Sequence, residues 1–253
     1  MILLKIGGSI LTDKSKERTI LPDRTKTIAK QIADSGVKEL VLIHGAGSFG
    51  HPQVLTHLQC GFNAEGLWIT HKTVSELNSA FIEELHVHGV RALPVHPLNC
   101  SISNSGRIDY FDLRPIKMML ENDLVPVIHG DVVLDKYIKF SILSGDQIIA
   151  YLAKVLKPRK VGIGTNVDGV LYKGKTLRHL HPTDFNRLKR EIRGSNNIDV
   201  TGGMLKKVTE LVELANYGIR SQIFNAEVMG NITRFLTTFD EFGTVIMRED
   251  DNK

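Results

Sequence analysis

Two short apolar runs, each ending in a glycine-rich turn, set the frame within which this chain must fold. Ile2-Leu3-Leu4-Lys5-Ile6 leads into Gly7-Gly8-Ser9, and Leu40-Val41-Leu42-Ile43-His44 leads into Gly45-Ala46-Gly47-Ser48-Phe49-Gly50-His51. Glycine lets backbone N–H groups turn inward and come close to a ligand. Several N–H groups converging at a strand end, ahead of a helix, form an anion cradle. Two such cradles suit two phosphates, one from a nucleotide and one from its reaction partner, and so point to phosphoryl transfer.

Short β-branched or Leu-rich runs recur at 2–6, 39–44, 90–95, 124–128, 160–164 and 219–224, with helical patterns between them. Residues 22–35 open at Pro22-Asp23 and stop at Gly36, matching helix start and stop signals. Residues 66–88 carry Leu67, Thr70, Val74, Leu77, Phe81 and Leu85 at three- to four-residue spacing and stop at Gly89. Further helices are predicted over 112–121, 146–156 and 203–217. Strands alternating with helices predict an α/β fold, a mainly parallel sheet with helices on both faces. Asn104-Ser105-Gly106 and Asp135-Lys136 read as hairpin turns. Residues 173–200 are the least regular stretch and are expected to form a mobile flap.

Ligands of open α/β sheets sit beyond the carboxyl ends of the strands. Both glycine turns fall there, as do His129-Gly130-Asp131 and Thr165-Asn166-Val167-Asp168-Gly169. Four loops are thus expected to meet on one edge. The chain has no GxxxxGK[ST], which excludes a P-loop enzyme. Residues 45–50 match GxGxxG literally, but they follow the second strand, and His51-Pro52 stands where a helix should begin.

Bulk properties exclude other classes. The 253 residues carry a net charge of +4, with Lys and Arg spread along the chain in short clusters only, so no nucleic-acid face is expected. Cys60 and Cys100 are the only cysteines, which leaves no disulfide framework or CxxC metal pair. The N-terminal apolar run is too short for a signal peptide, and no run of about 20 apolar residues occurs. A cytoplasmic, non-membrane protein is expected.

Phosphoryl transfer needs positive charge around the migrating group and in-line placement of donor and acceptor. Lys5 lies at the end of the first strand, Lys14 just beyond the first glycine turn, and Lys207 in the first turns of a helix opened by Thr201-Gly202-Gly203. Each alone reads first as a solvated surface charge; Lys5 resists that reading because its strand should be interior. His51, beside a cradle, is a candidate phosphate donor or a surface histidine. His44 and His129, on strands, pack or orient their loops. Asp146 is either a helix cap or a carboxylate that orients lysines. Asp168 is either a turn residue or part of the site.

Taken together, these segments resemble the amino acid kinase superfamily and, within it, the isopentenyl phosphate kinases. The resemblance runs through Lys5-Ile6-Gly7-Gly8-Ser9 with Thr12-Asp13-Lys14, through His44 to His51, through Gly66-Leu67, Thr70-His71, Val74 and Leu77-Asn78, and through Gly130-Asp131-Val132. It continues in Ser144-Gly145-Asp146, Asn166 to Val170 and Asp199 to Met204. The histidine that ends the second motif is its most discriminating feature. The resemblance implies a three-layer αβα sandwich in one amino acid kinase domain over residues 1–253, with an acceptor-binding part at about 1–150 and a nucleotide-binding part at about 151–253. It implies ATP and Mg²⁺ as cofactors and a likeness to homodimers. Nucleotide would lie on Lys5, Gly7, Gly8, Ser9, Gly47, Thr165, Asp168, Gly203 and Lys207. Acceptor would lie on Gly45, Ala46, Gly50, His51, Gly130 and Gly145. Lys14 would stabilise the transferring group, Asp146 would orient the lysines, and Lys206 is the alternative to Lys207. Leu67, Val74 and Phe81 are candidates for the acceptor's apolar tail, or ordinary core. The implied reaction is ATP-dependent phosphorylation of isopentenyl phosphate. A fosfomycin-kinase-like enzyme, or a nucleotide-binding sensor on the same fold, is the alternative.

Overall fold

The computed structural model describes residues 1–50, 64–194 and 202–249, the side chains of 190–194 and 202 excepted. His51 and the segment 195–201 lie outside the described residues. Eight strands form the central sheet. They are β1 (Ile2–Ile6), β2 (Leu40–His44), β3 (Ala92–Val95), β6 (Val125–His129), β9 (Lys160–Thr165), β12 (His179–Leu180), β13 (Ser221–Asn225) and β14 (Thr244–Ile246). Their order is β12-β14-β13-β9-β1-β2-β6-β3. Every pairing is parallel except β13 with β14.

β1 is buried at all five positions, and its side chains alternate between two cores. Leu3 faces one, shared with Ile148, Ile149 and Leu152 of the helix Gly145–Leu156 and Val208 and Leu211 of the helix Gly202–Asn216. Ile2, Leu4 and Ile6 face the other, shared with Ile28 and Ile32 of the helix Pro22–Asp34 and Phe81 and Leu85 of the helix Ala64–Val87. The result is the expected three-layer α/β sandwich. The same alternation aims Lys5 at the helix Gly145–Leu156 and His44 at the helix Ala64–Val87.

A second sheet, in the order β5-β4-β7-β8, contains β4 (Ser101–Asn104), β5 (Arg107–Phe111), β7 (Asp131–Asp135) and β8 (Lys139–Leu143). Both expected hairpin turns occur in it. Ser105 and Gly106 have φ of 51° and 81°, a pairing that suits a tight hairpin. β7 leaves directly from Gly130 and β8 returns directly to Ser144-Gly145, with Asp131 paired to Leu143. That excursion brings Gly145 and Asp146 back beside Gly130.

The irregularity expected over 173–200 is corrected for the described residues. Within its described part the chain forms the two-residue strands β11 (Lys175–Thr176) and β12, then the helix Pro182–Gly194. Phe185 and Leu188 of this helix reach the core. So few apolar residues in so polar a helix leave little periodicity to read.

Candidate active site

Four loops at the carboxyl ends of β6, β2, β1 and β9 do meet, and backbone hydrogen bonds stitch them in that order. Gly130 N–H donates to the His44 carbonyl (3.0 Å), Gly45 N–H to Ile6 (3.1 Å), and Gly7 N–H to Gly164 (2.9 Å). These bonds occupy the Gly45 and Gly130 donors, so neither N–H is available to a phosphate. The N–H groups of Gly8, Ala46 and Gly145 donate to no protein acceptor among the described residues. A Cβ on Gly130 would stand 3.4 Å from the Gly145 N and 3.7 Å from the Ala46 N. Gly130 therefore leaves space beside two free donors, with the Leu143 carbonyl oxygen also 3.4 Å from the same point.

The two glycine turns touch. A Cβ on Gly8 would lie 2.7 Å from Gly47 Cα and 2.9 Å from the Gly45 carbonyl oxygen. Gly47 has φ of +53°, and a Cβ there would meet the Gly8 carbonyl oxygen at 2.7 Å. Thr12 locks the contact, its hydroxyl donating to the Gly8 carbonyl (2.8 Å) and accepting from Ser48 N–H (2.9 Å). Ser48 also accepts from Arg18 N–H at its carbonyl (3.2 Å) and from Thr19 N–H at its hydroxyl (3.2 Å). The loop that carries Lys14 is thus tied to the second turn, and Lys14 itself is exposed. Gly50 packs on Ala46 and Val74.

Lys5, Asp146 and Lys207 form one cluster. Lys5 Nζ is 2.6 Å from Asp146 Oδ1, and Lys207 Nζ is 3.2 and 3.3 Å from the two carboxylate oxygens. Lys5 is 4% exposed. Burial pushes its ammonium down to about 8 against the opposing pull of Asp146. Burial also raises the Asp146 carboxyl, but the two ammonium groups outweigh it and hold the group below its ordinary range. Asp146 is not the cap of its helix; Ser144 fills that role, accepting from Gln147 N–H at 3.2 Å. Lys206 is exposed, whereas Lys207 is half-buried and turned toward the cluster.

Asp146 faces Lys207, and Lys154, two turns on, pairs with Glu213 at 2.5 Å. The helices Gly145–Leu156 and Gly202–Asn216 therefore run side by side in the same direction. Both N-termini open on the cluster, and both dipoles favour an anion there. Gly203 is exposed at the start of the second helix.

On the β9 side, Thr165 shapes its loop, its hydroxyl donating to the Val167 carbonyl (2.8 Å). Asp168 is exposed and accepts from the Asn225 side-chain amide (3.0 Å). Asn225 was not singled out from the sequence, although its place at the end of β13, beside β9, is the signal that finds it. Val74 and Phe81 are 1% and 0% exposed and belong to the core, Phe81 standing edge-on to His44. Leu67 is half-buried. Among the described residues no group of three His, Cys, Asp or Glu side chains is placed to hold a metal ion. No helix there is long and apolar enough to cross a membrane.

The amino acid kinase family profile matches residues 1–225. The isopentenyl phosphate kinase of Methanothermobacter thermautotrophicus is 38% identical over 97% of this chain and 98% of its own length. That of Methanocaldococcus jannaschii is 34% identical over 93% and 95%. An X-ray structure of an isopentenyl phosphate kinase superposes with a TM-score of 0.85 at 35% identity, covering 98% of this chain and all of that one.

Proposed function

The chain belongs to the amino acid kinase family and, within it, to the isopentenyl phosphate kinases, and from that premise we propose that it transfers the γ-phosphoryl group of ATP to isopentenyl phosphate. The products are isopentenyl diphosphate and ADP. The observation that carries this reading is the pair of free donors, Ala46 and Gly145 N–H, facing one space beside the Lys5–Asp146–Lys207 cluster. One anion fits the donors and a second fits the ammonium groups.

Lys5 and Lys207 hold the nucleotide phosphates, and Asp146 keeps both ammonium groups aimed and charged. Thr165, Asp168 and Gly203 border the nucleotide, with Gly7, Gly8, Ser9 and Gly47 beneath its phosphates. Ala46 and Gly145 donate to the acceptor phosphate; Gly45, Gly50 and Gly130 make room for it. His51 is the further acceptor donor by its motif position. The acceptor phosphate is ionised near neutral pH, so the attack needs no general base. ATP is taken as its Mg²⁺ complex. Asp146, already shared by two ammonium groups, does not suit a protein-held ion, and no step is assigned to one. A homodimer in the cytoplasm, with residues 1–150 serving the acceptor and 151–253 the nucleotide, completes the reading.

The test is product formation with ATP, Mg²⁺ and a panel of isopentenyl phosphate, dimethylallyl phosphate, fosfomycin, acetylglutamate and uridylate. Selective conversion of isopentenyl phosphate is expected; turnover of another member alone overturns the acceptor. Lys14→Ala is expected to lower kcat by about ten- to a hundredfold with the ATP dissociation constant nearly unchanged. Its exposed charge is mobile and well solvated, which keeps the effect below that of a buried donor. Equal losses in both quantities would remove Lys14 from the transition state.

A further inference from the structure

We infer that His44 is a positioning residue of the acceptor site, holding the Gly45 carbonyl so that the Ala46 N–H of the same peptide group is aimed at the acceptor phosphate. This rests on the acceptor reading above. His44 Nδ1 lies 3.1 Å from the Gly45 carbonyl oxygen. That oxygen only accepts, so Nδ1 carries the proton. Burial keeps the ring neutral, which leaves a lone pair on Nε2. The Asn78 carboxamide stands 2.9 Å from Nε2. With Oδ1 placed there, two acceptors would face each other and the Asn78 Nδ2 has no partner; with the two ends of the carboxamide exchanged, its N–H donates to the Nε2 lone pair. The ring is further wedged by Phe81, whose centroid is 5.8 Å away at 84°.

A peptide group is planar and trans, so its C=O and N–H point in opposite directions. A carbonyl held by His44 and packed against Gly8 therefore turns the Ala46 N–H the other way, and the Ala46 N stands 3.7 Å from where a Cβ on Gly130 would be. Glycine at position 45 would otherwise leave that plane free to rotate. The same device recurs one strand over. His129 is paired with His44 in register. Its Nδ1 lies 3.1 Å from the Gly130 carbonyl and its Nε2 2.8 Å from His96 Nδ1. Two neighbouring His-Gly steps thus hold the peptide that follows with one geometry.

His44→Asn and His44→Gln separate this role from packing, because an Asn amide takes the place of Nδ1 and a Gln amide that of Nε2. His44→Gln is expected to raise KM for isopentenyl phosphate by about ten- to a hundredfold with KM for ATP unchanged. His44→Asn is expected to stay within a few-fold of the parent. The amide resonance of Ala46, followed by NMR with inorganic phosphate as the probe, is expected to shift in the parent and in His44→Asn and not in His44→Gln. This readout survives a wrong acceptor: no turnover of isopentenyl phosphate together with a phosphate-responsive Ala46 rejects the acceptor and keeps the positioning role. Should His44→Gln not fold, Asn78→Ala, which frees the ring without removing it, is expected to raise the same KM alone. Equal behaviour of the Asn and Gln variants, or parallel rises in both KM values, overturns the inference.

Discussion

Asp146→Asn is expected to lower kcat/KM for ATP by about 10³-fold at pH 7, the loss of two charge-assisted contacts. The side chain keeps its shape, so the change removes charge and little else. Lys5 already loses its proton at about pH 8 with the carboxylate 2.6 Å away. Without that carboxylate, burial takes the ammonium lower still, and a larger share of Lys5 is neutral at pH 7. A buried cation stripped of its partner sheds the proton rather than stay unpaired. The sign of the pH effect follows. The parent holds charged Lys5 below about pH 8, whereas the variant needs a lower pH to charge it, so its activity recovers as the pH falls from 8 toward 6. Steady-state kinetics across that range measure it. A variant with the parent's profile, or a loss below tenfold, would place Asp146 outside the electrostatics of the site.

Gly8→Ala is expected to lose at least about 10²-fold in activity with both substrates affected, since misplacement by about 1 Å costs on the order of 10²-fold. The new methyl would meet Gly47 N, Gly47 Cα and the Gly45 carbonyl. All three are backbone atoms that no rotamer change moves aside, so the two turns must part. KM for ATP and for the acceptor should rise together, unlike in any variant that touches one cradle. Gly89→Ala is the control. Its φ of 82° makes alanine strained, at about 1–2 kcal/mol, but nothing lies within 4 Å of the added carbon. It should cost stability and leave kinetics alone. Normal kinetics in Gly8→Ala would mean that the turns are not in contact.

The inner strands were legible because they are buried on both faces and read as near-continuous apolar runs; Ile2–Ile6, interrupted only by Lys5, and Leu40–His44 are the clearest cases. Helix ends were legible at Gly36 and Gly89, both with positive φ. The helix Pro182–Gly194 was missed because it is polar, and β12 and β14 because two or three residues carry no pattern. In the site, strand-end Lys5 and the glycine turns stood out, since lysine inside a strand and glycine in series are both costly without a reason. The difference between Gly45 and Ala46 was not visible. Which of two successive N–H groups is free depends on the hydrogen bonds between β1 and β2, a tertiary fact. Likewise, Asn78 and Asn225 matter through partners far along the chain, His44 and Asp168.

The position of β1 between β2 and β9 bears on how the chain comes to be folded at all. Ile2 pairs with Leu40 on one side and with Lys160 on the other. The strand synthesised earliest of the eight thus ends in the middle of the sheet. Its second edge stays unpaired until ribosomal synthesis has passed Thr165. Closing a loop of that length before the contact rewards it slows folding, and in the interval an apolar strand with a bare edge is open to wrong partners. A nascent chain arrested between β6 and β9 should therefore be the form most in need of a chaperone.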